Sequence, residues 1–470
     1  MNPVHARWRG KRATVMGLGL FGGGVETARY LAQLGMRVTV TDLRTAQTLA
    51  ESLRALEGLP LTYELGAHRE RDFTDSDLVV ANPAVSPSDR FLASARAAGV
   101  TVTSEMALFL EACPAQVVAV TGTQGKSSTS HAIDHFLRAS GFRSHLGGNI
   151  GRSLLSALTS LGEDDWVVLE ISSYQLEALP PAIGGEHALG NRVAAVCATN
   201  VLADHLERHR TLEAYEAAKR RILELARAKT HVVLSADDPR TSAWRVERGR
   251  PLFFSPTGHL HARARLWAGE FQLDGVRLGH LEDLKLPGTF QRDNTLAALS
   301  TACALGAEPA LLARAVSTLT GLEHRLQDLG LRGGHRVWDN GVSTTPDSTV
   351  AALRSITGPT VLICGGQPKL DLALDAMVAE ARSNVRCVIS FGAAAESIRA
   401  AFSRGGLAAV AVSTVEDAVR EAYGRAIPGD ELLFSPACAS FDQYRNFKDR
   451  ALAFQRALPA CDAVELGAQN

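Results

Sequence analysis

One stretch, VVAVTGTQGKSST at positions 117–129, constrains this chain more than any other. Four apolar β-formers, Val117, Val118, Ala119 and Val120, run into a turn that holds Gly122, Thr123, Gln124 and Gly125. Lys126, Ser127 and Ser128 follow, and the spacing then predicts a helix from Thr129 to Arg138. A strand, a glycine-rich loop, Lys-Ser and a helix build a phosphate cradle. Backbone N–H groups and the positive helix end face the phosphates, the ammonium neutralises them, and a hydroxyl reaches Mg²⁺. The two glycines stand closer together than in the strict Walker pattern, so an ordinary β–α turn is the competing reading.

Downstream strand ends favour the cradle. An apolar strand over Trp166–Ile171 contains Glu170, and a buried carboxylate is costly without a partner such as a divalent ion. The strand Val193–Thr199 leads to Asp204-His205, and the next helix carries Tyr215, Lys219 and Ile222. Lys126, Glu170 and His205 should therefore meet at one sheet edge. Between them, the segment 145–151 reads as a glycine-rich turn presenting the amide of Asn149. Residues 286–304 read as a turn and a helix with Asn294 near its start.

Two flanking regions repeat the α/β rhythm. From Ala13, a short strand meets Gly17, Gly19, Leu20, Phe21 and Gly22. A helix reaches about Leu34, and a second strand ends at Asp42. That is a dinucleotide-type fingerprint, equally compatible with NAD and with a UDP-linked ligand, because the loop reads a diphosphate and the acid a hydroxyl. A further strand, Leu78–Ala81, ends at Asn82. Beyond a Gly turn and the pair His324-Arg325, strands at 336–338, 360–364, 386–391 and 431–435 alternate with helices, predicting a third parallel sheet.

Length and composition bound the rest. A chain of 470 residues exceeds one core and suggests about three α/β domains, 1–110, 111–322 and 323–470. Lys+Arg 49 against Asp+Glu 50 leaves no net field for nucleic acid or an acidic membrane. Seven scattered cysteines without a CxxC argue against a disulfide framework or zinc site and for a reducing cytoplasm. The N-terminal MNPVHARWRGKR lacks an apolar run after its charges, unlike a secretory signal, and no 18-residue apolar run suggests a membrane span. No exposed apolar stripe stands out, so a monomer is expected.

GLGLFGGG, TGTQGKSS, GGNIG, LEISSYQL, TNVLADHLERH, YEAAKRRI, LEHR and SPACASFDQYRNF, in that order along nearly the whole chain, resemble the Mur ligases of peptidoglycan synthesis. The last of these is similar to the branch that joins D-glutamate to UDP-N-acetylmuramoyl-L-alanine. The resemblance implies three domains: an N-terminal Rossmann-like UDP-binding domain, a central P-loop ATPase-like domain with a mainly parallel sheet, and a C-terminal Rossmann-like domain. It also implies an activity. ATP phosphorylates the substrate's terminal carboxylate, and the amine of glutamate attacks the acyl phosphate.

By the same resemblance, Gly122 to Ser128, Asn294, Arg325 and Asn340 would bind ATP, with Lys126 on the transferring phosphoryl. Ser127, Glu170, His205 and Lys219 would hold two Mg²⁺ ions (or Mn²⁺), with Lys219 carbamylated by CO₂. Lys126, His205 and Lys219 are the catalytic candidates. Gly19, Leu20, Phe21, Asp42, Arg44, Asn82, Asn149 and His205 would meet the UDP-linked substrate. Thr344, Lys369, Ser440, Phe441 and Phe447 would hold glutamate. The chain departs from the pattern at Gln124 (usually Asn), Phe290 (often His) and, most, at 339–345. There Asn340 replaces an aspartate and Val342 replaces a lysine beside the amino-acid carboxylates. A related ligase taking L-glutamate or another amino acid is the alternative. A nicotinamide dehydrogenase would rest on the Gly17–Gly22 loop alone, and a non-catalytic UDP-sugar scaffold would leave Lys126, Glu170, His205 and Lys219 without a use.

Overall fold

A computed structural model describes residues 3–20, 22–150, 153–180, 192–368 and 372–461. The predicted glutamate contact Lys369 and the predicted UDP contact Phe21 lie outside these residues. The chain forms two compact units, Met1–Leu284 with Arg292–Leu319, and Lys285–Gln291 with Thr320–Asn470. It is α/β throughout, with three largely parallel sheets.

The first unit carries two of them. Val15, Val38, Val40, Leu78 and Val80 are apolar and buried, as strands covered on both faces require. They belong to a five-stranded parallel sheet ordered Leu61–Leu65, Arg37–Asp42, Arg12–Met16, Leu78–Ala81, Thr101–Ser104. The order reverses beside Arg12–Met16, so the crevice for a ligand lies at the carboxyl ends of Arg12–Met16 and Leu78–Ala81. The second sheet has nine strands. Ser144–Gly148, Trp166–Glu170, Gln116–Thr121, Val193–Ala198, His231–Ser235, Arg250–Ser255 and Ala264–Trp267 run parallel, and Glu270–Leu273 and Val276–His280 extend one edge as antiparallel hairpins.

The second unit has six strands ordered Gln327–Arg332, His335–Asp339, Glu431–Ala437, Thr360–Gly365, Val385–Phe391, Ala408–Val412. The first pair is antiparallel and the others parallel, so the expected parallel sheet carries one antiparallel edge strand. Glu431–Ala437, late in the chain, inserts between two earlier strands, and that switch point gathers three loops at one edge.

Two local readings change. The segment expected as a glycine-rich turn begins with an edge strand, Ser144–Gly148, paired with Trp166–Glu170: a Cβ at Gly148 would come 2.3 Å from the carbonyl oxygen of Glu170, and one at Gly147 would come 2.4 Å from the Leu154 side chain. The helix expected from Thr129 begins at Lys126, capped by Gly125 in the left-handed region at φ 80°. No helix among the described residues is long and apolar enough to cross a membrane.

Candidate active site

Gln116–Thr121 lies between Trp166–Glu170 and Val193–Ala198, all parallel, so their carboxyl ends share an edge. The loop leaving Gln116–Thr121 is fastened there. Thr199 Oγ1 donates to the carbonyl of Gln124 at 2.6 Å, and Gln124 N donates to Asn200 Oδ1 at 2.9 Å. Leu202 N donates to Thr123 Oγ1 at 2.9 Å. Both glycines are required by close approach. A Cβ on Gly122 would stand 1.9 Å from Thr199 Oγ1, and one on Gly125 would stand 2.1 Å from Asn294 Oδ1. Asn294 thus lies against the loop, and it also accepts from Thr129 Oγ1 at 3.3 Å. Lys126 Nζ donates to the Thr123 carbonyl at 2.8 Å, Ser127 is buried and Ser128 is half-buried. Thr199 and Asn200, which clip the loop, had no role in the sequence reading; their place directly after a strand was the available signal.

Lys219 is not a solvated helix lysine. The helix Leu212–Arg220 buries it to 1% exposure, and its Nζ donates to the carbonyl of Gly122 at 2.5 Å. The Tyr215 ring lies 4.5 Å from the ammonium. Burial drives its pKa well below the ordinary lysine value, and the charge of Lys126 pushes the same way; Asp204 and Glu170 oppose. Asp204 is a further member of the cluster that the sequence reading passed over. Glu170, 2% exposed at the end of its strand, accepts from Asn149 Nδ2 at 2.8 Å on Oε1. Its Oε2 is buried with no hydrogen-bond partner among the described residues. An orphaned carboxylate oxygen beside a phosphate loop and a buried lysine fits a divalent cation and a nucleotide phosphate.

His205 stands at φ 52° as the cap of Leu206–His209, its Nδ1 3.2 Å from Glu207 Oε1 and its Nε2 3.6 Å from Asp204 Oδ2. No hydrogen bond joins it to Glu170 or Lys219 among the described residues. Arg208 beside it donates to the carbonyls of Ala84 and Val85, each at 3.0 Å, and pairs with Glu177 at 2.9 Å. It thereby ties the loop after Leu78–Ala81 to this edge. No group of three or more His, Cys, Asp or Glu side chains able to hold a metal occurs among the described residues.

At the five-stranded sheet, Gly19 N donates to Asp42 Oδ2 at 3.1 Å, and Asp42 Oδ1 accepts from Arg44 N at 2.8 Å. Asn82 Nδ2 reaches the Gly17 carbonyl at 3.3 Å, while Leu20 is exposed. Gly19, Asp42, Arg44 and Asn82 are therefore gathered at one strand-end crevice.

In the second unit, Arg325 is half-buried between two left-handed residues, His324 at φ 62° and Leu326 at φ 47°. The Asp339-Asn340 pair, one of the departures in sequence, holds that turn. His324 Nδ1 lies 2.7 Å from Asp339 Oδ2, and Leu326 N donates to Asn340 Oδ1 at 3.2 Å. The Asn340 amide also donates to Ser435 Oγ at 3.0 Å, so both its ends are used within the unit. Ser440 is buried, Thr344 and Val342 are half-buried, and Phe441 and Phe447 are exposed around the ends of Glu431–Ala437 and the start of Phe447–Ala457.

Comparison with known proteins bears on these features. Residues 120–302 match the Mur ligase middle domain, and residues 11–104 match the Mur ligase MurD-like N-terminal domain. A UDP-N-acetylmuramoylalanine–D-glutamate ligase of Roseiflexus sp. is 39% identical, covering 95% of this chain and 98% of its own. Among solved structures, UDP-N-acetylmuramate–alanine ligase from Thermotoga maritima superposes with a TM-score of 0.61 at 19% identity, over 95% of this chain and 98% of that one. A MurF ligase of the same organism, solved with ADP, gives 0.56 at 16% identity over 97% and 98%. With two domain matches and a relative aligned end to end at that identity, the chain belongs to the Mur ligase family.

Proposed function

We propose that this chain is an ATP-dependent amide-bond-forming ligase that adds D-glutamate to UDP-N-acetylmuramoyl-L-alanine in peptidoglycan synthesis, through an acyl phosphate. The observation that carries the reading is the buried Lys219 on the Gly122 carbonyl, at the edge that also presents Lys126 and the orphaned oxygen of Glu170. The name of the 39%-identical relative supplies the substrates. Three domains, divided near 110 and 322, would take the UDP-linked substrate, ATP and glutamate in turn.

In this reading Gly122 to Ser128 cradle the ATP phosphates, and Lys126 releases the Thr123 carbonyl to neutralise the transferring phosphoryl. Asn294 and Arg325 would contact the nucleotide. Ser127, Glu170, His205 and Lys219 would hold Mg²⁺, which when bound supplies charge stabilisation to phosphoryl oxygens. Of these four, Glu170 is the one side chain that is already an anion. A carbamate on Lys219, formed when its neutral amine adds to CO₂ and releases a proton, would add a second anionic ligand. Asn149 orients Glu170, and Gly19, Asp42, Arg44 and Asn82 grip the UDP end. Thr344, Lys369, Ser440, Phe441 and Phe447 would receive glutamate. A monomer working in the cytoplasm, away from membrane and nucleic acid, fits the composition.

Val342 favours one second reading. It leaves the position usually held by a lysine uncharged, so an L-glutamate-adding ligase is the variant to test. The assay is amino-acid-dependent release of ADP and phosphate from ATP with UDP-N-acetylmuramoyl-L-alanine, run with each enantiomer. Release with D-glutamate supports the first reading, release with L-glutamate alone supports the second, and release with neither sinks both.

A further inference from the structure

Arg450 is the largest fully buried side chain, 0% exposed on the helix Phe447–Ala457, and it meets no carboxylate in an ion pair among the described residues. Its guanidinium is spread over backbone carbonyls instead. Nη1 donates to Gly365 at 3.3 Å, Cys438 at 2.9 Å and Ala439 at 3.0 Å. Nη2 donates to Gly341 at 3.3 Å and Ser343 at 3.4 Å. Nε is buried without a partner.

These five carbonyls belong to three chain segments, one at the end of each of three adjacent strands: His335–Asp339, Glu431–Ala437 and Thr360–Gly365. Gly366 makes room for the fan, since a Cβ there would stand 2.7 Å from Nη1. Burial pulls the Arg450 pKa down only to about 10, with Asp442 and Asp339 nearby favouring the charge, so the group stays cationic at neutral pH. A buried charge is costly unless its hydrogen-bonding groups are satisfied. The two Nη groups of a planar guanidinium can fan across five carbonyls, more than the three N–H of a lysine ammonium can serve one to one. The segments Arg450 holds run directly into Thr344, into Gln367-Pro368, and into Ser440 and Phe441.

We propose that Arg450 is a positioning residue for the amino-acid pocket: it ties the three strand-end loops together, sets the spacing of the groups that grip the incoming glutamate, and leaves a positive charge beneath them. The inference rests on the glutamate-ligase reading above. It also gives a source of positive potential in a pocket where Val342 supplies none.

The test uses the full chain carrying Arg450→Lys, with Arg450→Met as a second variant. For each, the melting temperature and the separate KM values for glutamate, ATP and the UDP-linked precursor are measured. Arg450→Lys keeps the charge but loses the fan, so the glutamate KM should rise at least tenfold while the other two stay within about twofold. Arg450→Met, which loses both, should raise it further. An unchanged glutamate KM, an equal deterioration of all three, or a lysine variant that does not fold would overturn the role of Arg450, since each would mark it as a general core group. Wild-type protein that shows no amino-acid-dependent ADP release would overturn the ligase reading itself.

Discussion

Two buried cations, one in each unit, are handled in opposite ways. Lys219 has a single hydrogen-bond acceptor among the described residues, the Gly122 carbonyl, and burial drives its pKa far down. Arg450 is as deeply buried but has five carbonyls around it, and its pKa falls only to about 10. A cation solvated by backbone stays a cation and can serve as a structural rivet. A cation left short of acceptors is poised to lose its proton, and a neutral amine is a nucleophile. Lysine suits the second task because its pKa moves readily, and arginine suits the first because its pKa does not.

The sharpest way to break this contrast is at Lys219. Lys219→Ala should lower turnover about 10³-fold, of the order seen when a preorganised charge-stabilising group is removed. Added formate or acetate should restore part of it by standing in for a carbamate, and full activity in the plain variant would end that account. Lys219→Arg should be equally inactive and not respond to formate, because guanidinium does not give up its proton. Lys126→Ala should cost about 10²-fold in ADP release, with the loss in kcat rather than in the KM for the UDP-linked precursor.

A smaller effect concerns stability. The folded-state pKa of Lys219 lies below its unfolded value near 10.5, so between the two values the unfolded chain binds more protons. Stability should therefore rise as pH climbs through the folded pKa toward 10.5, and fall back as pH drops. Lys219→Met removes the buried amine and its linked protonation: thermal melts at neutral pH should show a gain of a few degrees, and the pH slope should flatten. A melting point lowered at neutral pH would mean the lysine stabilises the fold as it stands. The smallest expected change is at Arg208, whose bonds to Ala84, Val85 and Glu177 tether one loop. Arg208→Ala should raise the KM for the UDP-linked precursor several-fold with little change for ATP, measured in the same assay.

Periodicity made the alternation of strands and helices readable, because strands buried on both faces are written as apolar runs such as VVAV and WVVLE. The phosphate loop was readable for a related reason: its glycines, Lys126 and hydroxyls are contiguous. What contiguity could not show was pairing across distance. The clip from Thr199 and Asn200 spans more than seventy residues. The fan of Arg450 reaches back more than a hundred, to Gly341. Glycines in a strand are ambiguous as well: Gly147 and Gly148 punctuate a sequence like a turn, yet here Gly148 lets an edge strand lie close to Glu170 and Gly147 makes room for Leu154. The antiparallel strand Gln327–Arg332 was hidden because its burial is only partial, so no apolar run marks it.

The turn around Arg325 has a consequence for which residues the chain can tolerate there. Left-handed backbone costs about 1 kcal/mol or more at a residue with a Cβ, and both flanks of Arg325 carry one. Glycine at 324 would relieve the torsion, but it would also widen the conformational freedom of the unfolded chain and abolish the contact with Asp339. Losing a buried hydrogen bond to a carboxylate costs about 1–3 kcal/mol on top of the added chain entropy, so the strained histidine holds the advantage over its relaxed replacement. The strain at 324 is thus retained for a fixed backbone: the contacts of His324 with Asp339 and of Leu326 with Asn340 pin both neighbours of Arg325.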